Sequence, residues 1–109
     1  MEINESQINA STVLTLTGRL DGLASPVLDQ KVDSLLAAGI RSIVFDCSGL
    51  AYASSAGLRS FLAAAKKLKS AGGRASFATL TPAVHKVFEL SGFLTVLAIY
   101  PTAASAANG

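Results

Sequence analysis

Few residues in this chain could carry chemistry, and two of them are neighbours. Ser54 and Ser55 stand together in the stretch Asp46-Cys-Ser-Gly-Leu-Ala-Tyr-Ala-Ser-Ser-Ala-Gly-Leu-Arg59, between a strand-forming run and a helix-forming one. Two readings fit such a pair. Serine is among the best residues for capping a helix N-terminus. The start of a helix also carries free N–H groups and partial positive charge, so it suits an anion or a phosphoserine. A phosphate there would add about −1.5 to −2 charges without melting the helix. Arg59 follows Ser55 by four residues, on the same helical face. It could meet a phosphate on Ser55, meet an acidic patch on a partner, or simply be solvated.

A serine nucleophile is the third possibility, since a serine between strand and helix resembles a nucleophile elbow. Ala53 stands where the first glycine of that pattern belongs. A nucleophile also needs a base, and the one histidine, His85, falls on a different helix. No catalytic residue is assigned, and the chain is not read as an enzyme. The single cysteine, Cys47, excludes a disulfide framework and any multi-cysteine metal site. It lies beside an apolar run and reads as a small buried hydrophobe. No metal site is expected, and without a phosphate-binding loop no cofactor is expected either. Asp21 and Asp46 follow strands and suit turns or caps. Lys66, Lys67 and Lys69 read as a solvated face.

Composition supports a small folded unit. The chain has 109 residues, read as one domain over 1–109. Half the residues are hydrophobic and 15% are charged, which excludes disorder for most of it. The net charge of +2 is too small to argue for direct nucleic-acid binding, and no basic stripe is interleaved with aromatics. The polar, acidic start does not resemble a signal peptide, and no apolar run reaches the roughly 18 residues of a membrane span. The expectation is a cytoplasmic protein with no membrane insertion.

The elements that must position the serines follow from periodicity. Residues 2–17 read as two strands, the first around Ile3 and Ile8, with a turn over Asn9 to Ser11 and Gly18 closing the second. Ser25-Pro26 reads as cap and first helical residue, and Val27, Leu28, Val32, Leu35 and Leu36 recur at helical spacing up to Gly39. Residues 40–46 contain the continuous run Ile43-Val-Phe45, as in a strand buried on both faces. Residues 47–54 read as a connection. A second helix spans 55–71, with Leu58, Phe61, Leu62, Ala65 and Leu68 inward, and Gly72-Gly73 stops it. A strand over 74–80, a helix capped by Thr81-Pro82 with Val84, Val87, Phe88 and Leu90 inward, and a strand over 95–100 complete the order ββαβαβαβ. Residues 101–109 read as a short, flexible tail. Such alternation predicts an α/β fold with a mixed, mostly parallel sheet of about five strands and helices mainly on one face. The N-terminal strand belongs at an edge, and the second face is expected to stay partly open.

These residues resemble the STAS domain, and within it the bacterial anti-sigma factor antagonists, over nearly the whole chain. The matching pieces are Thr17-Gly-Arg-Leu-Asp21, Ile43-Val-Phe-Asp46 with Ser48-Gly-Leu50, Tyr52-Ala-Ser-Ser-Ala-Gly-Leu58, Ala71-Gly-Gly73, Thr81-Pro-Ala-Val84 and Phe88-Glu-Leu-Ser-Gly92. The third resembles the family's aromatic-x-D-S-S/T-G-L. The resemblance implies a partner-switching protein. It would bind an anti-sigma factor that is also a serine kinase, be released when phosphorylated, and be restored by a PP2C-type phosphatase. Aligned on Gly57 and Leu58, the phosphorylated serine falls on Ser55 rather than Ser54. Ser54 occupies the family's aspartate position and Ala56 its following Ser/Thr. The implied partner surface is Asp21, Ser54, Ala56, Gly57, Leu58 and Arg59, where Arg59 replaces a usual glycine. Leu20, Leu23 and Ala53 are apolar and near this segment, as partner surface or incidental exposure. The alternative is a STAS adaptor, not switched by phosphate, within a chemosensory, stressosome-like or transport-associated complex.

Overall fold

The computed structural model describes residues 1–109. Its elements are β1 (Glu2–Ile8), β2 (Ser11–Leu20), α1 (Ser25–Ala37), β3 (Ser42–Ala53), α2 (Ser55–Ser70), β4 (Arg74–Ala78), α3 (Pro82–Leu90), a 3-10 turn (Phe93–Thr95), β5 (Ile99–Tyr100) and α4 (Ala103–Asn108). The five strands lie in sequence order. The β1–β2 pair is antiparallel, and every later pair is parallel. The mixed sheet with an antiparallel edge strand is the expected architecture. Its hairpin turns on two residues, since Ile8 faces Ser11 across the pair and Asn9 takes a positive φ of 53°. Asparagine tolerates that region better than most residues.

One apolar face of the sheet binds α1, α2 and α3 around a core of 19 buried residues. All five phenylalanines of the chain meet there or at its margin. Phe45 and Phe77 stack from adjacent strands at 5.0 Å, Phe61 of α2 stands edge-on to both, and Phe88 of α3 touches Phe61 and Phe77. Phe93 closes the chain of contacts against Phe88. Such edge and offset arrangements add to area burial because ring edges are positive and faces negative.

Several expectations are corrected. Gly18 does not end β2. The strand continues to Leu20 through a register shift at Gly18, whose φ is +103°. Residues 47–53 are not a connection, because β3 runs on to Ala53 and pairs there with the end of β2. Ser25 is not the cap of α1. It is buried in the first turn, and the capping residue Ala24 makes no side-chain bond. Leu90 is 75% exposed rather than inward. The last strand shrinks to two residues behind the 3-10 turn.

The largest correction concerns residues 101–109. Instead of a flexible tail they form α4, which covers part of the second face by setting Ala106 against Val13, Val44 and Ala78. Six residues are too few for an isolated helix. This one is held by its packing, by a capping box at Thr102, by Arg74 donating to the carbonyls of Ala106 and Gly109, and by an Asn9–Asn108 bond of 2.7 Å. The second face is therefore open only beyond α4, where Thr15, Asp46 and the Arg19–Tyr52 pair lie, with the guanidinium 4.3 Å from the ring centre.

Phe77 lies at the centre of the aromatic cluster and is fully buried. Phe77→Ala is expected to cost about 3–5 kcal/mol, measured as a lowered denaturation midpoint in urea.

Candidate functional site

The site is built where two parallel strands end. Leu20 of β2 and Ala53 of β3 are register partners, so the residues that follow them, Asp21 and Ser54, leave the same end of the sheet side by side. Neighbouring strands lie about 4.8 Å apart. Residues 33 positions apart in sequence thus share one rim. The Ser54 N–H donates to the Leu20 carbonyl at 2.9 Å, which ties the start of α2 to the end of β2.

Ser54 caps α2. Its hydroxyl oxygen accepts from the Gly57 N–H at 3.3 Å, and its carbonyl accepts from the Leu58 N–H at 2.9 Å. Its backbone is extended, with φ −83° and ψ 176°, as a capping residue requires. Ser55 is the first helical residue and is exposed. The first turn holds no acidic residue, and the leading N–H groups of Ser55 and Ala56 precede any intrahelical acceptor. No acidic side chain of α2 itself offsets the positive helix-end potential beside the Ser55 hydroxyl. Arg59, one turn on, is exposed and takes part in none of the three ion pairs of the chain.

Gly57 and Leu58 face inward. Gly57 is buried where α2 crosses β2, and a Cβ there would lie 2.6 Å from the Leu20 carbonyl oxygen and 2.8 Å from Leu20 Cγ. Leu58 is 8% exposed and belongs to the core. Both residues seat the helix rather than present surface. Ala56 and Arg59 do reach a groove between α1 and α2, whose other wall carries Gly22, Pro26 and Asp29. Nothing in the sequence signalled that groove, because it exists only once the two helices are packed.

Asp21 organises the β2 side of this rim. Its carboxylate accepts from the N–H groups of Leu23 at 3.1 Å and Ala24 at 3.0 Å. Its carbonyl accepts from both the N–H and the hydroxyl of Ser25, at 2.9 and 2.7 Å. So Ser25 fastens the turn from inside, where the sequence suggested a cap. The Ala24 N–H bond holds the Asp21 carboxyl below its ordinary 3.8; the Leu23 N–H and the charge of Arg19 act the same way, against some desolvation. Of the three apolar residues noted near the site, Leu20 and Ala53 are buried and Leu23 is 89% exposed.

The other chemistry-bearing residues lie apart. Cys47 is buried, and its thiol is pushed up to about 12, by burial first and by the Asp46 charge second. Asp46 lies within β3 rather than after a strand as expected, paired with Thr15 and Ala78, and its carboxylate accepts from the Ser48 N–H. His85 is exposed on α3 and hydrogen-bonds to neither serine; it borders a depression with Thr79 and Tyr100. Lys67 pairs with Asp33 at 2.8 Å, so one lysine of the expected solvated face bridges α2 to α1. No helix is long and apolar enough to cross a membrane.

Comparison with known proteins agrees with this fold. The profile of the STAS domain matches residues 2–106. A Bordetella bronchiseptica protein assigned as an anti-sigma factor antagonist, BtrV, is 32% identical over 99 residues, covering 91% of this chain and 85% of that one. Among solved structures, an assigned anti-sigma factor antagonist from Thermotoga maritima superposes with a TM-score of 0.90 at 20% identity, covering 97% of this chain and 92% of that one. The Bacillus cell fate determinant SpoIIAA, in its phosphorylated form, superposes with a TM-score of 0.75 at 22% identity, covering 98% and 97%. The chain belongs to the STAS domain family, among its anti-sigma factor antagonists.

Two outcomes test the site. Alanine is a better helix former than glycine by about 1 kcal/mol, yet Gly57→Ala is expected to destabilise by about 1–3 kcal/mol, because the new methyl meets backbone at Leu20; urea unfolding measures the sign. Asp21 carries a lowered folded-state value, so its stabilisation is full above 3.8 and is lost as pH falls through the folded value. The wild-type margin in melting temperature over Asp21→Ala should therefore be constant at neutral pH and narrow below pH 3.8.

Proposed function

We propose that this chain is a phosphorylation-gated anti-sigma factor antagonist with Ser55 as the acceptor. The observation that carries the reading is the exposed Ser55 at the first position of α2, behind a side-chain cap and beside the Asp21 turn. Unphosphorylated, the chain binds an anti-sigma factor that is also a serine kinase and so frees a sigma factor. The kinase transfers a phosphoryl group to Ser55 Oγ, and a PP2C-type phosphatase removes it. The protein acts in the cytoplasm, without direct contact to nucleic acid or insertion into a membrane.

Physical reasons favour Ser55 over Ser54. The Ser54 oxygen is occupied as the cap, and losing a cap costs about 1 kcal/mol. The Ser55 hydroxyl is exposed and has no structural partner to lose. A phosphate on it faces free N–H groups and, one turn on, Arg59, so α2 tolerates the modification. The added charge of about −1.5 to −2 instead alters what a partner meets. Against a net charge of +2 it cancels most of the positive excess. The partner surface comprises Asp21, Ala56 and Arg59 directly, with Ser54, Gly57 and Leu58 fixing their placement.

The family's usual aspartate is replaced by Ser54, and that observation supports a second reading as a phosphate-independent STAS adaptor. One experiment separates the two. The chain is incubated with ATP and, one at a time, the purified serine-kinase anti-sigma factors of its source organism. Mass spectrometry should find phosphate on Ser55. Ser55→Ala should stay bound in the presence of ATP, and Ser55→Glu should bind at least about tenfold more weakly, about 1.4 kcal/mol. Phosphate on Ser54 alone would move the switch to the cap. Phosphate on neither serine would favour the adaptor.

A further inference from the structure

Leu23 is the most exposed large apolar side chain of the chain, at 89%, and Val27 beside it is 55% exposed. Both line one shallow depression with Met1, Arg19 and Asp21. A scattered surface leucine needs no explanation, but this one is held in place. Its N–H is bonded to the Asp21 carboxylate, and the turn that carries it is fastened again by Ser25. An anchor already ordered loses little freedom when it docks.

The patch also adjoins, through neighbouring residues of one turn, the groove beside Ser55. Gly22 and Pro26, which alternate in sequence with Leu23 and Val27, form one wall of the groove that Ala56 and Arg59 form on the other side. Ser55 directly precedes Ala56 of this groove, so a partner whose kinase centre reaches Ser55 comes up against it. Its contact then extends onto Leu23 and Val27, with Asp21 and Arg19 as a charged rim. An apolar centre with a polar rim is the usual anatomy of a protein interface. The second exposed apolar pair, Leu90 and Val96, lines no part of this groove.

We propose that Leu23 and Val27 are the apolar anchor that seats this chain in an apolar pocket of its anti-sigma factor. This rests on the reading of Ser55 given above and adds the contact that sets affinity independently of the phosphate. The test uses the purified anti-sigma factor kinase that phosphorylates the wild-type chain, with binding measured by calorimetry without ATP. Leu23→Ser should weaken binding about tenfold or more with an unchanged melting temperature. Leu23→Met should restore most of it, and Leu90→Ser, at a comparably exposed leucine, should bind as wild type. Leu23→Ser binding as tightly as wild type overturns the anchor and leaves the Ser55 reading intact. So does an equal loss in Leu90→Ser, or a Leu23→Ser effect confined to self-association in sedimentation. Failure of every kinase to bind the wild-type chain overturns the Ser55 reading and the anchor with it.

Discussion

The contact between the end of β2 and the first turn of α2 is the constraint on which the rest depends. Leu20 is fully buried, its carbonyl accepts the Ser54 N–H, and its side chain fills the space that a Cβ on Gly57 would need. Helix and strand can approach this closely only because residue 57 is glycine. The approach fixes where α2 begins, and so which serine is the cap and which is exposed. It also brings the Asp21 turn, one residue beyond Leu20, beside that helix start. A looser contact would separate the Asp21 turn from the start of α2 and leave the groove between α1 and α2 without its shape.

Stability and surface chemistry are divided between different parts of the same helix. Further along α2, Phe61 and Leu68 are buried, with Phe61 held among the rings of Phe45, Phe77 and Phe88. At its start, Ser55 is exposed and Arg59 is unpaired. Charge can change at the first turn without disturbing the core, because the core grips the helix on its other face and further on. Lys67 and Asp33 add a surface tie between α2 and α1. Isolated ties of this sort contribute little energy.

Much of this was legible in residue order. Glycine at helix ends is one instance. Gly39, Gly72 and Gly92 all take positive φ, of 91°, 81° and 75°, where α1, α2 and α3 stop. The Thr81-Pro82 cap of α3 is another, with Thr81 accepting from the Val84 N–H. The alternation of strands and helices predicted the mixed sheet, and Ser54-Ser55 ahead of an amphipathic run marked the helix start. These are local signals, readable because the residues concerned satisfy backbone groups within a few positions. The Ser48-Gly49 pair misled by the same logic. It falls in the stretch that reads as a connection, yet β3 continues past it because Gly49, Leu50, Tyr52 and Ala53 pair with the extended end of β2, after a register shift at Cys47 and Ser48.

The sequence alone determined the α/β class, the cap and start of α2, and the poverty of catalytic side chains. Tertiary structure alone decided the length of β3, the pairing of Leu20 with Ala53, the exposure of Leu23 and the folding of residues 103–108 into α4. Each of these depends on a neighbour distant in the chain. A six-residue helix has no stability of its own, and Ala106 is helical because Val13, Val44 and Ala78 offer it an apolar floor. Leu20, Leu23 and Ala53 are equally apolar as letters. Their separation into two buried residues and one exposed anchor comes from where α2 lands on the end of the sheet.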